Sequence, residues 1–100
     1  GAMSYSEFLV RHARLTILKA LAEQIDETLN DAILVTVLDT YGFRRGRDFV
    51  RTQLRFLESE LGAVALVEAG TVVVATLARP GRDHVNRRSV LEGVARPNEV

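Results

Sequence analysis

The hydrophobic period of the chain changes at Gly62, and few small folds accommodate that change. Before it, Val50, Leu54, Leu57 and Leu61 recur at i, i+4, i+7 and i+11, one stripe of an α-helix. After it, Ala63 to Glu68 and Thr71 to Leu77 are rich in β-branched residues and flank Ala69-Gly70, the pattern of a tight β-hairpin. A long amphipathic helix running directly into a hairpin must bury its stripe against other helices and one hairpin face against the same core.

The chain supplies those helices. Ser4 or Ser6 can cap a first helix from about Tyr5 to Gln24, with Glu7 in its first turn and Phe8, Leu9, Leu15, Ile17, Leu18 and Leu21 at helical spacing. Thr28-Leu29 reads as a very short strand, and Asn30 or Asp31 as the cap of a second helix running to about Tyr41. Ile33, Leu34, Val37, Leu38 and Tyr41 form its expected inward face, and Gly42 stops it. The third helix starts near Arg47. Beyond the hairpin, Pro80-Gly81 reads as punctuation before a short helix from about Arg82 to Leu91. The expected fold is α+β but mainly α: a winged helix-turn-helix with a three-helix core, a two-stranded β-hairpin wing and a short C-terminal helix. Gly1-Ala2 ahead of Met3 reads as a cloning remnant, so residues 1–3 are set apart, 4–92 form the expected domain, and 93–100 are expected to be a flexible tail.

At 100 residues there is room for one domain, and 47% hydrophobic residues are enough for its core. The absence of cysteine removes disulfides, thiolate chemistry and Cys-based zinc sites. His12 and His84 lie far apart, without ligand spacing, and both are expected to face solvent. No phosphate-binding glycine loop and no nucleophile–base set is apparent, so neither enzymatic activity nor any cofactor or metal is expected. No apolar run is long enough to span a bilayer, and a cytoplasmic protein without a membrane partner is the expectation.

Formal net charge is zero, but the charge is unevenly spread. Residues 20 to 43 hold Glu23, Asp26, Glu27, Asp31 and Asp39 with no base, whereas residues 44 to 55 hold Arg44, Arg45, Arg47, Arg51 and Arg55 against Asp48 alone. With the stripe of the third helix turned to the core, Arg47, Arg51 and Arg55 line one flank. Thr52 points away from the core, and Phe49 and Phe56 lie on the other flank. Guanidinium rows neutralise phosphates and form bidentate contacts with guanine edges, so double-stranded DNA is the leading partner, met by Arg44, Arg45, Arg47, Arg51, Thr52 and Arg55. The alternative for Arg47 and Arg51 is a solvated face or pairing within the molecule, with Glu58, Asp48 or the acidic second helix. The wing tip, Glu68 to Thr71, carries no base, so little DNA contact is expected from it. A homodimer is expected on the DNA reading; the competing reading is a protein-interaction module without DNA binding, using Phe49, Phe56, Val72 and Val74.

Several segments carry a resemblance. Ser6-Glu7-Phe8-Leu9, Arg14 to Leu18 and Leu21 to Gln24 in the first helix belong to it, as do Leu29-Asn30 and Arg47-Asp48-Phe49-Val50-Arg51-Thr52 with Leu54 and Leu57. Val72 to Leu77, Gly81 and Gly93 to Pro97 complete it. Together they resemble the small winged-helix proteins of Mu-like phages and prophages, a family of unknown function. The resemblance implies a winged-helix fold, a phage or prophage setting, and a role as transcriptional regulator or DNA-packaging accessory or, on the protein-interaction reading, a module in phage assembly or host takeover whose partner is a phage or host protein. It assigns no site residues. Leu77 to Gly81 lacks the threonine cap with which many winged-helix regulators begin the last helix.

Overall fold

Helix α1 (Tyr5–Ala22) starts where the sequence offers a cap: the Ser4 hydroxyl accepts from the Glu7 amide at 3.1 Å. Its inward face, Ala13, Leu15, Ile17, Leu18, Ala20 and Leu21, is buried. The computed structural model describes residues 3–98. After α1 come strand β1 (Thr28–Asn30), helices α2 (Asp31–Thr40) and α3 (Arg47–Ser59), strands β2 (Val64–Ala69) and β3 (Val72–Leu77), and helix α4 (Arg79–Val85). The fold is α+β and mainly helical, with four helices and a three-stranded antiparallel sheet among the described residues.

The sheet order is β1-β3-β2. The short strand read at Thr28-Leu29 therefore joins the hairpin, with Leu29 opposite Ala75 and, across β3, Leu66 opposite the same residue. Val73, Ala75 and Leu77 face the helices and are buried, while Val72 and Val74 on the other face are half-buried. Gly70 has φ 62° and Thr71 does not share it, as in a II′ turn. The outer edge of β2 is partly covered, because the Leu66 amide donates to Glu58 at 2.8 Å.

Helix α2 turns less of its surface inward than expected. Leu34 and Leu38 are buried and Val37 is half-buried, but Ile33 is 47% and Tyr41 66% exposed. Ile33 lies about 100° around the helix from the Leu34–Leu38 line. Tyr41 is the C-cap, already off helical geometry, so the helical spacing does not govern it. In α3 the stripe holds: Val50, Leu54 and Leu57 are fully buried and Leu61 is half-buried.

Three expectations at the C-terminal end are corrected. Helix α4 begins at Arg79 rather than Arg82, because Pro80 fits a first turn, where no amide donor is needed. It ends at Val85 rather than Leu91, where Arg87 adopts a left-handed φ of 62°. Residues 93–98 are also more than a loose tail. Val94 and Ala95 are fully buried, the Ala95 amide donates to the Arg11 carbonyl at 3.1 Å, and Arg14 donates to the Gly93 carbonyl at 2.9 Å. The remainder of that segment, Glu99 and Val100, and Gly1-Ala2 lie outside the described residues.

His84 does not face solvent but is fully buried. The Leu91 amide donates to Nδ1 at 3.0 Å, so Nδ1 carries no proton, and Nε2–H donates to the Ala95 carbonyl at 2.8 Å. His12 is half-buried and stacks on Phe8, with ring centroids 4.2 Å apart.

The close approach of α4 rests on Gly81. A Cβ there would lie 2.4 Å from the Ala63 carbonyl oxygen and 2.9 Å from Leu77 Cδ1. Gly81→Ala is expected to destabilise the protein by about 2–3 kcal/mol, since backbone must move to admit the methyl group. Denaturant unfolding checks this; an unchanged midpoint would show that α4 is not packed as described.

Candidate nucleic-acid interface

The arginine row of α3 is divided by what stands opposite it. Asp31, the first residue of α2, follows the Asn30 cap, whose side chain accepts from the Ile33 amide at 2.9 Å. An acid in this position suits the positive end of the helix dipole. It is also fully buried, and four donors converge on its carboxylate. They are Arg47 Nε at 3.0 Å and Nη2 at 3.4 Å, Arg51 Nε at 2.5 Å, and the Val73 amide at 3.2 Å. Arg47 and Arg51 also donate through Nη2 to the Thr71 carbonyl in the hairpin turn, at 2.7 and 2.6 Å. One carboxylate thus ties the start of α2, the first two turns of α3 and the β2–β3 hairpin.

Burial alone would push the Asp31 carboxyl up. The hydrogen bonds from Arg47, Arg51 and the Val73 amide outweigh that effect and hold it well below the usual carboxylate range. No buried side-chain donor or acceptor among the described residues is left unpaired.

The other candidate residues lie in different surroundings. Arg44 and Arg45 are exposed in the α2–α3 connection, and the Arg45 guanidinium lies 5.9 Å from the centre of the Phe49 ring. Arg55 is exposed on α3, and neither it nor Arg44 or Arg45 has a carboxylate within ion-pair distance among the described residues. Thr52 is exposed, but its hydroxyl proton goes to the Asp48 carbonyl at 2.9 Å, so it offers solvent only acceptor lone pairs. Asp48 is exposed and enters no ion pair among the described residues. Gly46 caps α3 without a side chain, so no side chain satisfies the amides of the first turn.

The residues singled out for a protein interface are all half-buried. Phe49 packs on the edge of the core. Phe56 is half-buried, with the Arg14 guanidinium 3.7 Å above its ring. Val72 and Val74 are half-buried on the outer sheet face.

Sequence reasoning named the acidic second helix among the alternative partners of Arg47 and Arg51, and Asp31 fills that place; it missed the Val73 amide that also meets this carboxylate, and it missed Arg14 as a latch. Arg14 joins three segments: Nε donates to Gln53 of α3 at 2.9 Å, Nη1 reaches the Gly93 carbonyl, and the plane covers Phe56. Its pKa is lowered, by burial first and by Arg11 second. An arginine on the inner side of an amphipathic helix, with a glutamine on the inner side of another, was the available signal.

With this geometry in hand, the relatives can be placed. The uncharacterized protein gp26 of Escherichia phage Mu is 35% identical over 92 residues, covering 92% of this chain and 94% of that protein. An uncharacterized protein of Haemophilus influenzae is 38% identical over 58 residues, 58% of this chain and 56% of that protein. No protein-family model matches the chain, and no solved structure matches it. The chain belongs to the bacteriophage family of Mu gp26.

Asp31→Asn is expected to cost about 2–4 kcal/mol at neutral pH, below the loss at a fully buried pair because both guanidiniums can rehydrate. The folded carboxyl titrates below its unfolded value. Its contribution is therefore complete above that unfolded value, near pH ~4, and is lost as pH falls from there toward the folded value. The stability gap between wild type and Asp31→Asn should narrow between about pH 5 and pH 2. Urea unfolding across that range checks it; a gap independent of pH would contradict the ionised hub.

Proposed function

We propose that the chain is a winged-helix DNA-binding protein of phage origin, acting in the host cytoplasm as a transcriptional regulator or DNA-packaging accessory. The element order α1-β1-α2-α3-β2-β3 with sheet order β1-β3-β2 is compatible with that fold. The observation that carries the reading is that two guanidiniums share a single carboxylate. Residues 44–55 hold Arg44, Arg45, Arg47, Arg51 and Arg55 against Asp48 within the segment and Asp31 opposite it on α2, so this stretch stays positive after internal pairing.

Roles within this face follow from the partners. Arg44, Arg45 and Arg55 contact phosphates. The open amides at the start of α3 add donors for an anion. Thr52, limited to accepting, can read an amino group on cytosine or adenine. Arg47 and Arg51 act as positioning residues that fix α3 against the wing.

A salt series of duplex binding, by fluorescence anisotropy, tests the reading. Three phosphate contacts predict a log K against log salt slope of roughly −3. Replacing Arg44, Arg45 and Arg55 together by alanine should abolish most of that slope, and Thr52→Ala should change sequence preference more than affinity. Absence of binding at about 50 mM salt would sink the DNA reading. It would favour the protein-interaction module, whose specific support is the exposure of Ile33 and Tyr41 and the groove of about 400 Å³ between α1 and α2, lined by Leu15, Val37, Tyr41 and Phe43.

A further inference from the structure

The first two turns of α1, from Tyr5 to His12, contain no buried residue, although the helix runs unbroken to Ala22. Tyr5 is 76% and Phe8 51% exposed. At about 100° per residue, Tyr5, Phe8, His12, Thr16, Lys19 and Glu23 fall within one arc of about 80°. From His12 onward this stripe is one wall of the α1–α2 groove, and the exposed Tyr41 stands on the other wall. Phe8 stacks on His12, so the aromatic end of the stripe and the groove are continuous.

We infer that this stripe is the interface between two copies of the chain, with their α1 helices packed antiparallel and the first turns of each filling the groove of the other. The groove suits the apolar side of a helix, and the first turns of α1 present such a side without a groove of their own. A single two-fold rotation satisfies both needs on both copies. With the axis midway between His12 and Thr16, Tyr5 stands opposite the partner's Glu23 and Phe8 opposite the partner's Ala20. Ala20 is a small, buried residue of the groove and leaves room for a ring.

Charge selects the antiparallel arrangement. Lys19 and Glu23 are the charged members of the stripe, and neither enters an ion pair among the described residues. Parallel helices would set each against its like. Antiparallel helices set each against an aromatic residue: the Tyr5 phenol can donate to the Glu23 carboxylate, and the Lys19 ammonium can lie over the Phe8 ring. The 18 residues of α1 rise about 27 Å. A strip of that length and one helix wide covers less than the roughly 800 Å² per partner of a stable complex, so the dimer is a weak one, with Kd of about 10–100 µM. The inference rests on neither reading of α3.

Sedimentation equilibrium of the full chain, without DNA, tests it. A reversible monomer–dimer equilibrium is expected at chain concentrations up to about 500 µM. Phe8→Glu should raise the dissociation constant about tenfold or more. Tyr5→Glu sets a carboxylate against the partner's Glu23 and should weaken the dimer about fivefold, and adding Glu23→Lys should restore it. Both changes suit the fold, an acid in the first turn of α1 and a base at its end, so the Tm should not fall. Val67→Glu, on the outer face of the sheet, should leave the dimer intact. A monomer at the highest concentration, a dimer that survives Phe8→Glu, or a double variant no tighter than Tyr5→Glu overturns the proposal. Loss of the dimer in Val67→Glu but not in Phe8→Glu also overturns it, by moving the contact to the sheet.

Discussion

The buried carboxylate of Asp31 is the constraint on which the orientation of α3 depends. Hydrophobic packing of Val50, Leu54 and Leu57 sets which side of that helix faces inward but leaves it free to slide and tilt. Directional bonds from Arg47 and Arg51 to Asp31 and to the Thr71 carbonyl remove that freedom, and the Val73 amide brings β3 into the same arrangement. Two cations around one anion also explain how a charge is tolerated in the interior. The carboxylate is fully compensated, and the excess positive charge sits on guanidiniums that still reach solvent.

A second group of polar ties fixes the opposite end of the fold. Arg14 joins α1 to Gln53 and Gly93, His84 joins α4 to Leu91 and Ala95, and Arg82 grips Glu27 through two hydrogen bonds at 2.8 and 2.6 Å. The Glu27 carboxyl is held below its ordinary range chiefly by its hydrogen bond from Arg82. These ties anchor the chain after α4, which has too little apolar surface to hold itself: Val94 and Ala95 are small, and their burial depends on backbone bonds to Arg11 and His84.

The helices and the hairpin were legible because each carries its own period and its own punctuation. Ser4 and Asn30 cap as expected, and the stripe from Val50 to Leu61 turns inward. Long-range partners were not legible. A helical wheel places Arg47, Arg51 and Arg55 on one flank, but it cannot show that the start of α2 stands opposite the first two and leaves the third in solvent. Charge pattern offered Glu58, Asp48 and the acidic second helix as alternative partners for Arg47 and Arg51, and only the packing of α2 against α3 selects Asp31 among them. Pro80-Gly81 looked like a break because its fit to Ala63 and Leu77 is tertiary. Val94-Ala95 is too short to show any period.

The division of the arginine row is the central claim, and arginine Nε–H resonances read it directly. In the free protein the Nε–H protons of Arg47 and Arg51 should exchange slowly with water, since both are bonded to Asp31. On addition of duplex DNA they should keep their positions while those of Arg44, Arg45 and Arg55 shift. Fast exchange at Arg47 and Arg51 in the free protein, or shifts there as large as at the other three, would contradict the account.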